Sequence, residues 1–310
     1  MKRIDERNTM FARMSYEAGT KEYNDYYKMH PEKKELDDEL RSLPKICGEG
    51  TATYNELNSP IADAGFEFLY DIKNLAEGVP KGDPVEVDSE HITNKIKKLA
   101  KYFGAKLVGV TEMDDYFYYS YQGRHPEVYG KEVVNNHRYG FVFAVEMDKE
   151  MINRAPQVEE VIAVTKGYMD AAIIGMWLSY YIRNLGYEAR NHMDGNYKVI
   201  APLVAESAGL GEIGRSGILI TKEYGKRVRL GVVTTNMPLI PDASKPFGVK
   251  EFCKVCNKCA MTCPGKAIPK GAMEEVDGVV RWQIDQEKCY RMWRSLGTDC
   301  GVCLSSCPFS

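Results

Sequence analysis

Eight of the nine cysteines in this chain of 310 residues lie between positions 253 and 307, and their spacing is what first speaks of chemistry. CKVCNKCAMTCP sets Cys253, Cys256, Cys259 and Cys263 in the run C-x2-C-x2-C-x3-C-P. Two-residue gaps let a tight loop aim three thiolates at one iron–sulfur cube, while the fourth cysteine points away to a neighbouring cluster. CGVCLSSCP repeats the ending with Cys300, Cys303 and Cys307, and Cys289 stands upstream as the remaining ligand. The crossover seen in two-cluster ferredoxins assigns Cys253, Cys256, Cys259 and Cys307 to one [4Fe-4S] cluster, and Cys263, Cys289, Cys300 and Cys303 to the other. Zinc is the competing use of such residues, but it usually takes paired C-x2-C knuckles or added histidine, and no histidine follows His192. Cys47 has no partner in this scheme and reads as a small buried hydrophobe. Two adjacent clusters pass single electrons and break no bonds, so residues 1–245 must hold any reaction.

A second pattern is AGLGEIGRSG (208–217), where Gly209, Gly211 and Gly214 reproduce G-x-G-x-x-G. That spacing seats a dinucleotide pyrophosphate when it follows a strand and opens a helix. Here the order is reversed: APLVAESA reads as helix and GILITKEYG as strand. The turn is therefore expected to serve a ligand other than a nicotinamide.

The elements that would position these residues are legible in outline. With 44% hydrophobic and 27% charged residues the chain reads as globular, and a net charge of −3 offers no basic field for nucleic acid. The opening MKRIDERNTMFARMSYEAG has no apolar stretch or twin-arginine pair, and no run of 18 apolar residues occurs, which predicts a cytoplasmic protein without a membrane span. HPEKKELDDELRSL suggests an exposed helix in an N-terminal arm. SEHITNKIKKLAKYFGA reads as an amphipathic helix capped by Ser89, with Ile92, Ile96, Leu99 and Phe103 on one face. KLVGVTEM, YGFVFAVEM, GILIT and RVRLGVVTT are strand candidates, and residues 157–187 form a long apolar helix. This alternation predicts an α/β or α+β layer architecture. The proline-rich MPLIPDASKPFG marks a boundary near 245.

Together, TKGYMDAAIIGMWLSYYIRNLGYEA, APLVAESAGLGEIGRSGILITKEYGKRVRLGVVTTNMPL and the paired cysteine motifs ending in SSCPFS resemble the corrinoid-dependent reductive dehalogenases. The likeness runs from about residue 86 to the C-terminus, with weaker echoes in DDELRSLP and GTATYNELNSPIADAGF. It implies a nitroreductase-like α/β (α+β) core, residues 86–245, enclosing a base-off cobalamin. Residues 1–85 would be an arm and packing segment, and 246–310 a bacterial ferredoxin-like domain with two [4Fe-4S] clusters. The implied activity is cleavage of a carbon–halogen bond in a small organohalide, with electrons from a ferredoxin or flavodoxin. Respiratory members carry a twin-arginine export signal, so its absence implies a cytosolic version, one whose cavity wall a second subunit could complete.

Carried over residue by residue, the tyrosine in the GY of the long helix is Tyr168, the proton donor. The cation that steadies its phenolate is Arg227 in YGKRVR, with Arg229 the alternative if the register slips by two. Gly209, Gly211 and Gly214, with Ser216 beside them, would shape backbone around the corrinoid. Some members carry an amide after LGY-x-A; here RNHMDGNY places Asp194 nearest, followed by Asn196. A carboxylate would repel a departing halide unless protonated or turned away, so either the substrate differs or Asn196 takes the role. An acid at this location is similar to the epoxyqueuosine reductases, in which an aspartate donates the proton. That is the second reading, and a non-catalytic electron carrier the third. DDYFYYSYQGRHPEVYG (114–130) is an aromatic stretch that could line the cavity. His30, His91, His125, His137 and His192 show no cofactor-grasping pattern.

Overall fold

The computed structural model describes residues 1–310. Near the N-terminus come α1 (Met10–Ser15), α2 (Lys21–Met29) and α3 (Lys34–Ser42). The first two begin where the hydroxyls of Thr9 and Thr20 accept hydrogen bonds from N–H groups that a first turn leaves free. The predicted exposed arm proves to have a core of its own. Tyr16, Tyr23, Tyr26 and Tyr27 pack together, and Arg13 forms a buried ion pair with Asp37 at 2.6 Å. Arg13 also donates to Glu287 at 2.9 Å, tying this region to the cysteine-rich end.

After α4 (Ser59–Ile72), α5 (Ser89–Tyr102) starts on Asp88, whose carboxylate accepts from the His91 N–H; Ser89 is the first helical residue and not the cap. The strands are β1 (Leu107–Glu112), β2 (Tyr139–Glu146), β3 (Ala189–His192), a short hairpin of β4 (Glu212–Ile213) and β5 (Leu219–Ile220), and β6 (Val228–Thr235). Between them lie α6 (Lys149–Ile152), α7 (Val158–Asn184) and α8 (Ala201–Ser207). The main sheet has the order β1-β2-β6-β3, antiparallel throughout. Side chains alternate across a strand, so Phe141, Phe143 and Val145 of β2 join the core under α5 and α7, while Val142 and Ala144 join the one beneath α8. With both faces covered, β2 and β6 read as nearly unbroken apolar runs. Phe143 sits opposite Gly231, where a Cβ would lie 2.3 Å from its ring, so the bare backbone makes room for it. Truncating this fully buried ring to alanine would cost about 3–5 kcal/mol.

The spine of the molecule is α7, 27 residues long. It is the one helix long and apolar enough to cross a membrane, and over half of its most apolar stretch is buried inside the protein. It packs on β6, β3 and α4. Small residues permit the close crossings: a Cβ on Gly175 would collide with Asn191 of β3.

The cysteine-rich end comprises α9 (Val249–Cys256), α10 (Lys258–Thr262), a hairpin of β7 (Glu274–Val276) and β8 (Val279–Arg281), α11 (Gln286–Leu296) and α12 (Val302–Ser305). Its junction with the body is pinned by the buried Glu212, whose Oε1 accepts from the N–H groups of Phe247, Gly248 and Val249.

Candidate functional site

The cysteines fall into two groups. Cys253, Cys256, Cys259 and Cys307 line one pocket together with Arg215, Lys226 and Phe309. Cys263 and Cys300 lie close enough to Cys289 for their charges to act on it, as Cys289 and Cys300 act on Cys303. Four thiols around a shared space are the donor set of a [4Fe-4S] cluster. Burial pushes the Cys289 thiol up to about 11 and Cys303 up to about 12, and Lys226 opposes the rise at Cys303. Left-handed backbone at Asn257 and Cys300 lets the chain turn sharply between ligands. Cys263 Sγ also accepts from the Ala267 N–H at 3.3 Å.

The glycine turn packs against this end of the molecule. A Cβ on Gly209 would meet the Ala243 carbonyl oxygen at 2.6 Å, and one on Gly211 the Ile220 carbonyl oxygen at 2.3 Å. Gly214 lies against Ile220 and Cys253. On the side where a Cβ would stand, these glycines admit the protein's own backbone and core. The next residues brace the cysteine loops. Arg215 donates to the carbonyls of Cys253, Pro269 and Gly271 and lies 4.6 Å from the Trp282 ring. Ser216, expected at the corrinoid, accepts from the buried Lys226 ammonium at 2.7 Å, and Lys226 also donates to the Cys303 carbonyl at 3.0 Å.

Above the cysteines is a second constellation. Tyr168, Tyr197, Tyr119, Arg124 and Arg229 are half-buried and lie close enough for their charges to act on one another. Tyr168 projects from α7 directly after Gly167, and a Cβ on Gly167 would come within 3.0 Å of the Arg229 Cβ. That glycine lets the arginine lie flat, its guanidinium carbon 4.0 Å from the centre of the Tyr168 ring. Burial raises the Tyr168 phenol above its ordinary pKa, Arg229 opposes the rise and Asp194 adds to it. Burial also works against the Arg229 charge, but the tyrosines and acids around it, Tyr168 and Asp299 foremost, raise its pKa overall. Its Nε has no partner.

Arg227, the expected counterpart of that cation, does not face Tyr168. It precedes β6, beyond the ladder's end, where Nη1 donates to Glu146 and to the Met147 carbonyl, both at 3.1 Å. Arg229, two residues on, occupies the face against α7. Asp194 is in the constellation, but Arg124 faces it at 3.4 Å and neutralises its charge. Asn196 is spoken for: its amide donates to the Lys73 carbonyl at 2.8 Å and accepts from Arg190. One N–H of that amide is left uncommitted.

Sequence reasoning missed Arg124 and Tyr197, although both lie in segments singled out on other grounds. Glu160 went unnoticed too. Fully buried two turns before Tyr168, it abuts Gly301, and burial next to Asp299 holds its carboxyl well above the usual range. Cys47 is buried, its thiol pushed up to about 12 by that burial.

Comparison with known proteins fits this geometry. Residues 252–310 match the family described as a 4Fe-4S dicluster domain. A tetrachloroethene reductive dehalogenase from Sulfurospirillum multivorans is 34% identical over 268 residues, which is 75% of this chain and 53% of that protein. The catabolic reductive dehalogenase NpRdhA, solved in complex with 3-bromo-4-hydroxybenzoic acid, superposes with a TM-score of 0.82 at 25% identity, over 99% of this chain and 42% of that one. A further reductive dehalogenase structure, described as suggesting a mechanism for B12-dependent dehalogenation, gives a TM-score of 0.81 at 25% identity, over 99% of this chain and 41% of that one. Sequence and fold together place the chain in the reductive dehalogenase family. It spans about half the length of the curated relatives it matches.

Proposed function

We propose that this chain is the core of a cobalamin-dependent reductive dehalogenase, in which two [4Fe-4S] clusters feed electrons to a corrinoid beside Tyr168. The observation that carries the reading is the pairing of Tyr168 with Arg229, both within reach of the Asp299 charge that also acts on Cys300. The overall change takes in two electrons and one proton: the carbon–halogen bond breaks, a carbon–hydrogen bond forms and halide leaves. The half-buried rings of Tyr168, Tyr197 and Tyr119 with the cations Arg124 and Arg229 are the lining that a bulky guest with polar edges would need. A cobalamin held there would supply the reduced metal that attacks the halogen or carbon.

The chain's own part is proton delivery and charge control. Burial keeps the Tyr168 phenol protonated until the carbon demands its proton, and Arg229 then stabilises the phenolate left behind. The Arg124–Asp194 pair removes the repulsion that a lone carboxylate would exert on halide. It also weakens the epoxyqueuosine reductase-like reading, because Asp194 is engaged by a cation and Tyr168 stands nearer the Arg229 charge. His192 is engaged at both ring nitrogens: Nδ1 accepts from the Lys198 N–H and from Arg190, and Nε2 bonds to Thr234 at 3.0 Å.

The test is anaerobic reconstitution with iron, sulfide and cobalamin, followed by a halide-release screen with reduced viologen against aryl and alkyl halides. Corrinoid absorption bands with halide release support the reading. A preparation that holds clusters but never corrinoid refutes it and leaves an electron carrier.

A further inference from the structure

The two cysteine sets face different ways. The set containing Cys300 lies against Asp299 and Glu160, whose charges reach Arg229. The set of Cys253, Cys256, Cys259 and Cys307 lines a pocket that opens to solvent beside the exposed Phe252. The Cys253 set is thus the one farther from the Arg229 charge and bordered by an open pocket.

The surface around it differs from the rest of the chain. Residues 245–270 expose six lysines, Lys245, Lys250, Lys254, Lys258, Lys266 and Lys270, against one acid, Glu251, although the whole chain is net −3. Lys250 and Lys254 are engaged by Glu206 at 3.1 Å and Glu251 at 2.7 Å, and the other four form no ion pair. Interleaved with them, Phe252, Val255 and Met261 are 40%, 79% and 66% exposed. Folding gains nothing from leaving these three in water. An apolar centre within unpaired cations is how a brief encounter between redox proteins is built: charge steers and orients the approach, and a small dry contact releases easily.

We propose that this face is the docking site of an acidic one-electron carrier protein, of the flavodoxin or ferredoxin kind, with its prosthetic group turned toward the Cys253 set. In each encounter the carrier is oxidised and the outer cluster reduced by one electron, and no bond forms or breaks. The inference rests on the cysteine sets holding clusters and is independent of which bond the enzyme breaks, so its test reads cluster reduction and not dehalogenation.

The reconstituted protein is mixed anaerobically in a stopped-flow instrument with the hydroquinone of an acidic flavodoxin, and flavin oxidation is followed. In the unaltered protein the second-order rate falls steeply as ionic strength rises. Lys258→Glu/Lys270→Glu lowers the low-salt rate by at least ~tenfold and flattens the salt dependence. Reversal of the exposed Lys95 and Lys98 on α5 leaves the rate within about twofold, and reduction by a cationic viologen is not slowed in either variant. A rate in the unaltered protein that is flat or rises with salt overturns the proposal, and this arm needs no variant. Equal losses in the two variants also overturn it, as does a lysine face that binds anionic vesicles while the flavodoxin rate stays unchanged by the Lys258 and Lys270 reversals.

Discussion

Tyr168 and Arg229 should behave as one unit, and a double-mutant cycle on turnover measures whether they do. The guanidinium carbon is 4.0 Å from the ring centre, which puts the phenolate oxygen a little further off. At about 5 Å, a phenolate and a guanidinium attract by ~3 kcal/mol with an effective dielectric near 20. About half is offset by the hydration the buried guanidinium has given up, leaving ~1.5 kcal/mol. Arg229→Met should therefore slow dehalogenation about tenfold. Tyr168→Phe removes the proposed proton donor and should cost roughly 10²–10⁴-fold. If the arginine acts only through the phenolate, the double variant is no slower than Tyr168→Phe alone. The assay is halide release with reduced viologen, on preparations whose spectra show equal cluster and corrinoid content. Arg227→Met is the control, expected to stay within about threefold because Glu146 and the Met147 carbonyl occupy its guanidinium. Losses that multiply in the double variant, or a larger loss at Arg227 than at Arg229, would refute the reasoning.

Asp194→Asn frees the Arg124 cation near Tyr168, so product inhibition by added bromide or chloride should strengthen about fivefold, read as a fall in the inhibition constant. Burial pushes the pKa of His192 well below its ordinary value, and His137 and His125 lie lower as well. A histidine depressed in the folded state contributes stability that is complete above its unfolded pKa near 6.5 and is lost as pH falls below it, by up to about 1.4 kcal/mol per pH unit for each such group. The melting temperature should thus decline from pH 7.5 to 5.5, and His192→Gln should make the decline shallower; an unchanged slope would remove His192 from the account. Cys259→Ser and Cys303→Ser strip ligands from different sets, so each should lower bound iron by roughly half and the two should alter different signals in the reduced spectrum.

What the sequence discloses depends on how local the physics is. Strand alternation, the apolar run of α7 and the cysteine spacing are properties of neighbouring residues, and the placements of β2, β6 and α7 follow from them. Arg227 and Arg229 could not be told apart that way. Both precede or open the same strand, and only the end of the ladder, where Glu146 faces Val228, decides which one reaches α7. The glycine turn is ambiguous for a related reason: glycine marks close approach without saying what approaches, and here it is Ala243 and Ile220. The Arg124–Asp194 pair joins residues seventy positions apart and leaves no local trace. The charged N-terminal stretch looked solvated because Arg13 and Asp37 hide one another.

Along α7, Glu160 and Tyr168 stand eight residues apart, about 12 Å of rise on a rigid rod with one end against Gly301 and the other against Arg229. That segment acts as a spacer of set length and phase. One inserted residue would swing Tyr168 by about 100°, off the Arg229 face, while shifting it only ~1.5 Å along the axis. Changes of loop length around residues 114–130 and 193–197 leave this spacing between the cysteine-rich end and Tyr168 untouched.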